Sequence, residues 1–481
     1  MRNCVHAGGA MSDLTYGEIV ARLERLPISR WHTFVRIVLG VCTLFDAYDG
    51  VAIAFVLPSL VGAWHLSAQE IGVLISAGFA GQLVGAAFFG WLAERHGRIA
   101  TLNITILVLA AFGIASACSW SFSSLAIFRF IQGLGVGGEN PVAATYVNEI
   151  AKAHSRGRFA LLYQLVYPFG FALAGSVSIW VVPNFGWQWV FVVGAIPALM
   201  MVVIQRHVPE SPRWLARHGR LAEADAVVTM LERKIYGDQP GSIPPLPADL
   251  VIIAPVARDH ATLPELFHGI YRVRTLFLWT VWFLALMIGY GLLTWLPSVY
   301  RTVYHLSIHQ SLVYSFFSQV VPLCCSTAAA LLIDIVGRRR LFTSAFIVGG
   351  AGMLSLYFFE APSAEMLAAA AGIGMGAIGM TQLSLWTYTP ELYPTRMRAL
   401  GTGMASSWGR LGSMMAPWLV GIMLGIGYSV STVYLYFATA AFLAAGAVVV
   451  FGVETRRRIL EEVSPDFMPA SVAKVALSVR G

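Results

Sequence analysis

Apolar runs long enough to cross a membrane recur through nearly the whole chain, and they decide what it can fold into. A spanning helix needs roughly 20 apolar residues. Such runs lie at 35–61, 71–93, 99–119, 122–148, 159–182 and 187–205, then at 275–300, 309–333, 341–360, 364–390, 399–426 and 429–452. Backbone in hydrocarbon must satisfy its own hydrogen bonds, which leaves helices or closed barrels, and these runs are too long for barrel strands. The expected fold is therefore an all-α membrane protein with twelve transmembrane helices in two six-helix bundles. Only 12% of residues are charged, against about 25% in soluble globular chains. The expected divisions are an N-terminal segment (1–34), a first bundle (35–205), a linker (206–274), a second bundle (275–452) and a tail (453–481).

Lysine and arginine set the orientation. They cluster at Arg95 and Arg98, at Lys152, Arg156 and Arg158, at Arg338 to Arg340, and at Arg396 and Arg398. Arg30, Arg36 and Arg456 to Arg458 lie beside the first and last runs, and Arg301 is nearly alone on the other side. Both termini and the linker are thus expected in the cytoplasm, and no cleavable signal peptide is expected. In the linker, Pro209 and Pro212 close the sixth span. LAEADAVVTMLER reads as a short amphipathic helix, and PGSIPPLPADL as a loose tether. The net charge of +7 is spread over these short clusters, which points to topology and not to nucleic acid. The cysteines have no metal-ligand or redox spacing, and no glycine run forms a phosphate-binding loop. No enzyme activity, cofactor or metal is expected, and the proton would be the coupling ion.

Two loops repeat between the halves. GWLAERHGR (90–98) and ALLIDIVGRRR (330–340) align Glu94 with Asp334, Gly97 with Gly337 and Arg98 with Arg338. YVNEIAKAHSRGR (146–158) and YTPELYPTRMRALG (388–401) align Glu149 with Glu391 and Arg156 with Arg398. Repeats at matching places argue for two related bundles, as in many secondary carriers. An acid and an arginine at the membrane edge can bridge neighbouring helices, with glycines such as Gly90 and Gly97 allowing tight turns and close approach. These residues are the candidate conformational latch.

The same motifs carry a resemblance to the major facilitator superfamily of transporters. GWLAERHGR is similar to its loop 2–3 signature, with Glu94 where aspartate is usual, and IDIVGRRR to the weaker second copy. RFIQGLGVGGE resembles the helix-four signature. PESPRWL occurs after helix six in the sugar, organic-ion and synaptic-vesicle-protein-like branches. FDAYD, GGENPVAATYVNEI and ELYPTRMRALGTGMASSWGRLG resemble the bacterial branches that carry nicotinate or aromatic acids by proton symport. The aromatic-acid branch usually has Asp-Gly-x-Asp in helix one, where this chain has Ala47 in place of the glycine.

Few ionisable residues lie inside the spans, and each is a functional candidate. Asp46 and Asp49 are three apart, on one helix face, roughly 14 and 18 Å along the first span from Ile37. Two carboxylates in low dielectric resist ionising together, so the pair is expected to titrate as a unit and couple protons. A buried salt bridge with an arginine of the fourth span is the other reading. Glu139, in the fourth span, is a candidate relay residue, with an ion pair or a protonated structural acid as the other reading, and for Arg129 of the same span the resemblance implies proton relay or a bond to Asp49. Arg410 lies roughly 16 Å into the eleventh span. Guanidinium grips carboxylate bidentately, so Arg410 is the candidate substrate anchor, a placement the resemblance also implies. Tyr163, Gln164, Tyr290, Gln319, Gln382 and Trp386 are candidate cavity residues.

The expected activity is proton-coupled symport of a small organic anion, an aromatic or heteroaromatic carboxylate, by alternating access. An organic-cation or drug/proton antiporter of the same fold and a non-transporting membrane sensor are the alternatives. The expected setting is a bacterial cytoplasmic (inner) membrane, as a monomer, with a small organic substrate and lipid as its partners.

Overall fold

The computed structural model describes residues 15–152, 159, 162–163, 166–237, 243–246, 262–359, 363–394 and 397–456, apart from the side chains at 326, 329–332, 334 and 399. Arg156 and Gln164, and the side chain of Asp334, lie outside the described residues. The described chain is all helix. In order the helices are α1 (Tyr16–Arg25), α2 (Arg30–Trp64), α3 (Ala68–His96), α4 (Arg98–Ala117) and α5 (Phe122–Ile150). Next come α6 (Val166–Phe185), α7 (Gln188–Gly194), α8 (Pro197–His207), α9 (Pro212–Arg217) and α10 (Leu221–Tyr236). After a 3-10 turn at Leu263–Phe267 follow α11 (Ile270–Thr302), α12 (Ile308–Val336), α13 (Arg338–Phe358), α14 (Ala364–Glu391), α15 (Arg398–Gly425) and α16 (Val430–Phe451).

Nine segments among the described residues are long and apolar enough to cross a membrane, with α7 and α8 together making one of them. The chain is thus an all-α multi-pass membrane protein. Three further long helices, α5, α12 and α15, lie outside that set. Two of them, α5 and α15, carry Arg129, Glu139 and Arg410 within their length.

The polar N-terminal segment holds a helix that periodicity alone did not reveal. Thr15 caps α1 by accepting from the Glu18 N–H, and α1 packs on α9 and α10. Ile19 and Leu23 are buried with Trp214, Leu215, Val228 and Leu231 in one apolar cluster. Arg22 pairs with Asp225 and Glu232, and Arg25 also pairs with Glu232. Arg213 reaches Glu24 at 2.5 Å. Burial pushes the Glu232 carboxyl up, but the hydrogen bonds and charges of Arg22 and Arg25 outweigh it and hold Glu232 below the ordinary range. LAEADAVVTMLER falls within α10, which is therefore docked through α1 onto the first half. Of the expected loose tether at 240–250, only residues 243–246 lie among the described residues.

The halves meet along α2 with α11, α3 with α15, and α6 with α12. Their packing is asymmetric along the helices. In α2, Val51 through Leu57 are fully buried, and in α11 Leu292 through Tyr300 are buried. A Cβ at Gly72 of α3 would lie 2.7 Å from the Pro417 carbonyl oxygen and 3.2 Å from Gly421 Cα of α15. At the opposite end of the same pair, a Cβ at Gly90 or Gly403 would meet nothing within 4 Å. Gly90 therefore makes no close helix approach here, contrary to the expectation. The two helices touch at one end and splay at the other, and the splayed end carries α9, where Trp214 Nε1 donates to the Glu94 carbonyl at 2.9 Å.

That closure depends on bare glycine backbone, so Gly72→Leu should prevent it. Ser76, whose hydroxyl donates to the Met414 carbonyl at 2.8 Å across the seam, marks the closed side. In a cysteine-free background, Ser76→Cys should react slowly with an impermeant maleimide applied from that side, and several-fold faster when combined with Gly72→Leu. Equal rates would show that the seam does not close there.

Candidate functional site

The acids of α2 were expected to act as one pair, but the structure splits them between two sets of partners. Asp49 is locked in a buried ion pair. Arg129 Nη1 donates to both carboxylate oxygens, at 2.9 and 3.0 Å, and Gln132 Nε2 donates to Oδ1 at 2.6 Å. Arg129 Nη2 also donates to the Asp49 carbonyl at 3.2 Å. Gln132 Oε1 accepts from Arg129 at 3.1 Å and from Ser116 at 3.2 Å. The guanidinium sits 5.6 Å from the Phe191 ring centroid. Each of Arg129 and Asp49 is only 2% exposed in its side chain. Removing one partner of such a pair strands the other charge in low dielectric.

Asp46 faces a different set. Its Oδ1 is buried without a hydrogen-bond partner, and its carboxyl meets that of Glu139 within hydrogen-bond reach. Thr43 Oγ1 donates to both Glu139 oxygens at 3.3 Å and is itself bonded to the Tyr163 hydroxyl. Tyr163 was expected in the cavity. It instead belongs to this acid cluster, because its hydroxyl is held by Thr43.

Arg410 on α15 reaches across to the first half. Its Nη1 donates to the carbonyls of Gln82 at 3.4 Å and Gly137 at 3.3 Å. The Gly137 carbonyl is available because Pro141, four residues on, has no N–H to bond it. α5 also presses that backbone close to α3, since a Cβ at Gly137 would lie 2.1 Å from the Gln82 oxygen. Among the described residues Arg410 has no carboxylate within ion-pair distance, although its charge acts on Asp46.

Arg410 lines a chamber of about 180 Å³ between the halves. Phe79 and Phe171 meet Tyr290 edge to face, with centroids 5.0 and 6.1 Å away. Trp282 and Trp386 cross at 88° and 5.0 Å on another part of the lining. Gln319 and Gln382 also line it, and Gln382 Nε2 donates to the Ala285 carbonyl at 2.8 Å. The structure thus brings together Arg410, Tyr290, Gln319, Gln382 and Trp386 of the expected set. Phe79, Gln82, Asn140 and Trp282 line the same chamber without having been singled out. Gln82 and Asn140 carried a usable signal, an amide inside an apolar run, whereas Phe79 and Trp282 look like any core aromatic.

At the splayed end, Arg98 Nη2 donates to Glu149 at 3.0 Å and to Glu94 at 2.9 Å. The second half repeats the first of these bonds, with Arg338 Nη2 donating to Glu391 at 3.0 Å. Arg398 Nε donates to the Pro390 carbonyl at 3.0 Å. Two further acids complete the pattern. Glu210 accepts from the N–H groups of Arg98 and Ile99 at 2.9 and 3.0 Å, capping α4. Glu454 accepts from those of Arg338 and Arg339 at 3.0 and 3.2 Å, capping α13. Gly97 and Gly337 have φ of +100° and +95°, a conformation glycine adopts readily, and a Cβ there would lie 2.4 and 2.6 Å from these carboxylates. The signal was a third repeat, Pro-Glu-Ser at 209–211 against Val-Glu-Thr at 453–455. Tyr146 donates to the Pro209 carbonyl and Tyr388 to that of Val453, at 2.7 and 2.8 Å, so both halves hold their motif alike.

Among the described residues no group of three or more His, Cys, Asp and Glu could hold a metal ion. Comparison with known proteins places this architecture. Residues 39–417 match the model of the Major Facilitator Superfamily. The chain is 36% identical over 452 residues to the niacin transporter NiaP of Acinetobacter baylyi, covering 93% of this chain and 99% of that one. It is 27% identical over 438 residues to the 4-hydroxybenzoate transporter PcaK of the same organism, covering 90% and 93%. Its structure matches a crystal structure of a D-xylose-proton symporter with a TM-score of 0.71 at 20% identity, covering 89% of this chain and 100% of the other; that likeness is one of fold. With a family match over most of its length and a relative aligned nearly end to end, the chain belongs to the Major Facilitator Superfamily, a family of multi-pass membrane transporters and not of enzymes.

Proposed function

We propose that the chain is a proton-coupled symporter of a small aromatic or heteroaromatic carboxylate, working by alternating access. The observation that carries this reading is Arg410, a cation in an aromatic-walled chamber whose described contacts are two backbone carbonyls from the other half. A substrate carboxylate offers the same guanidinium two charged acceptors, a stronger bidentate match than carbonyls. Tyr290, Phe79 and Phe171, with Trp282 and Trp386, supply ring faces and edges for a single aromatic ring. The related proteins named for niacin and 4-hydroxybenzoate support a ring bearing a carboxylate.

Asp46 and Glu139 are the proton site in this reading, held by Thr43 and Tyr163. A proton taken up by the pair offsets the negative charge that the substrate brings to Arg410. The loaded carrier then has the same net charge as the empty one, and the halves can rock without carrying extra charge through the bilayer. Arg129 holds Asp49 as a fixed structural pair beside this site. Arg98 with Glu149, and Arg338 with Glu391, tie helices within each half so that each moves as a body. The nine apolar spans together with α5, α12 and α15 make twelve, six to a half. The halves fall at 35–205 and 275–452, with both termini and the linker in the cytoplasm under the positive-inside rule. A monomer in a bacterial cytoplasmic membrane suffices for this mechanism.

The test is uptake of labelled nicotinate and 4-hydroxybenzoate into proteoliposomes with an alkaline interior. Accumulation that collapses when a protonophore is added is the expected result. Accumulation indifferent to the proton gradient would overturn the coupling.

A further inference from the structure

Gln319 is a buried amide on the chamber wall whose oxygen the fold leaves unbonded. It lies on α12, is 7% exposed and lines the chamber with Arg410. Its Oε1 is buried with no hydrogen-bond partner, and its nitrogen donates to no group among the described residues. Two other amides of the spans are occupied: Gln132 binds Asp49, Arg129 and Ser116, and Gln382 binds the Ala285 carbonyl. Buried polar groups are nearly always bonded, so an unbonded amide on a chamber wall points to a partner that arrives with the ligand.

We propose that Gln319 is a specificity-determining residue that reads a second polar atom on the ring of the bound carboxylate. The inference rests on the carboxylate reading of the chamber and adds the feature that separates one such substrate from another. A carboxamide has a donor and an acceptor. A ring nitrogen accepts from Nε2, and a ring hydroxyl donates to Oε1. Benzoate offers neither and leaves the amide dry. Sites built to hydrogen-bond a substrate group discriminate strongly against analogues that lack it. Arg410 anchors every carboxylate alike, and Gln319 supplies the difference between them.

The experiment compares KM and kcat for nicotinate, 4-hydroxybenzoate and benzoate in proteoliposomes containing the full chain or Gln319→Leu. In the wild type, KM for benzoate should exceed that for the two polar-ring substrates by about 10-fold or more. Gln319→Leu should raise KM for those two by a similar factor and leave benzoate unchanged, so that the three values converge. Gln319→Met, close in shape, serves under the same criteria if the leucine variant does not fold. Equal KM values in the wild type, or a variant that shifts all three substrates equally, would overturn the proposal. If the wild type takes up none of the three, the carboxylate reading itself falls and takes this inference with it.

Discussion

Replacing Arg410 by lysine should lower carboxylate uptake about 10- to 100-fold at subsaturating substrate, the value of a charged hydrogen-bond pair. Lysine keeps the charge, so the loss isolates the geometry. The guanidinium presents a planar fork that meets both oxygens of a carboxylate, while an ammonium is a compact point charge. Among the described residues Arg410 meets the carbonyls of Gln82 and Gly137 through Nη1. A lysine has a single nitrogen and cannot present a planar pair of N–H donors to both carboxylate oxygens. The measurement is initial uptake rate against substrate concentration, with reconstituted protein quantified. Wild-type affinity for nicotinate and 4-hydroxybenzoate in the lysine variant would remove Arg410 from the binding site.

The second large effect separates the two acids of α2. Asp49→Asn strands Arg129 in a buried pocket, where breaking an ion pair costs about 3–5 kcal/mol. The expected result is a protein with a strongly lowered unfolding temperature in detergent. Pairing it with Arg129→Gln removes the stranded charge and should recover much of the stability. Asp46→Asn should behave differently, because no guanidinium is bonded to Asp46. It should fold and melt near the wild type, and exchange substrate across the membrane at zero gradient. It should fail to accumulate substrate against a gradient. A stable Asp49→Asn protein, or gradient-driven accumulation by Asp46→Asn, would reverse these assignments.

The fold and the membrane-edge motifs were largely legible in the sequence. The length of an apolar run reports a span because hydrocarbon leaves the backbone no other partner. The repeats around Arg98 and Arg338 were legible because each motif is continuous in the chain. The caps from Glu210 and Glu454 were written there too, but in a three-residue repeat too short to stand out before its geometry was known. α1 was missed because a ten-residue polar helix is marginal alone, and α9 and α10 supply the face that buries Ile19 and Leu23.

The sequence by itself determined the class of the chain, the positions of nine apolar spans and the presence of charge within apolar runs at Asp46, Asp49, Arg129, Glu139 and Arg410. Tertiary structure alone decided the pairings. Asp46 and Asp49 share a helix face and a residue type, and local periodicity treats them alike. Arg129 and Glu139 lie ten residues apart on α5, and the packing of α5 against α2 gives one acid a guanidinium and the other a second carboxyl. Arg410 meets the Gly137 carbonyl, far away in sequence, only because Pro141 leaves that oxygen unbonded where the two halves touch. Charge and spacing are local properties of a chain, while the partner that fixes the role of a buried charge is set by how distant helices pack.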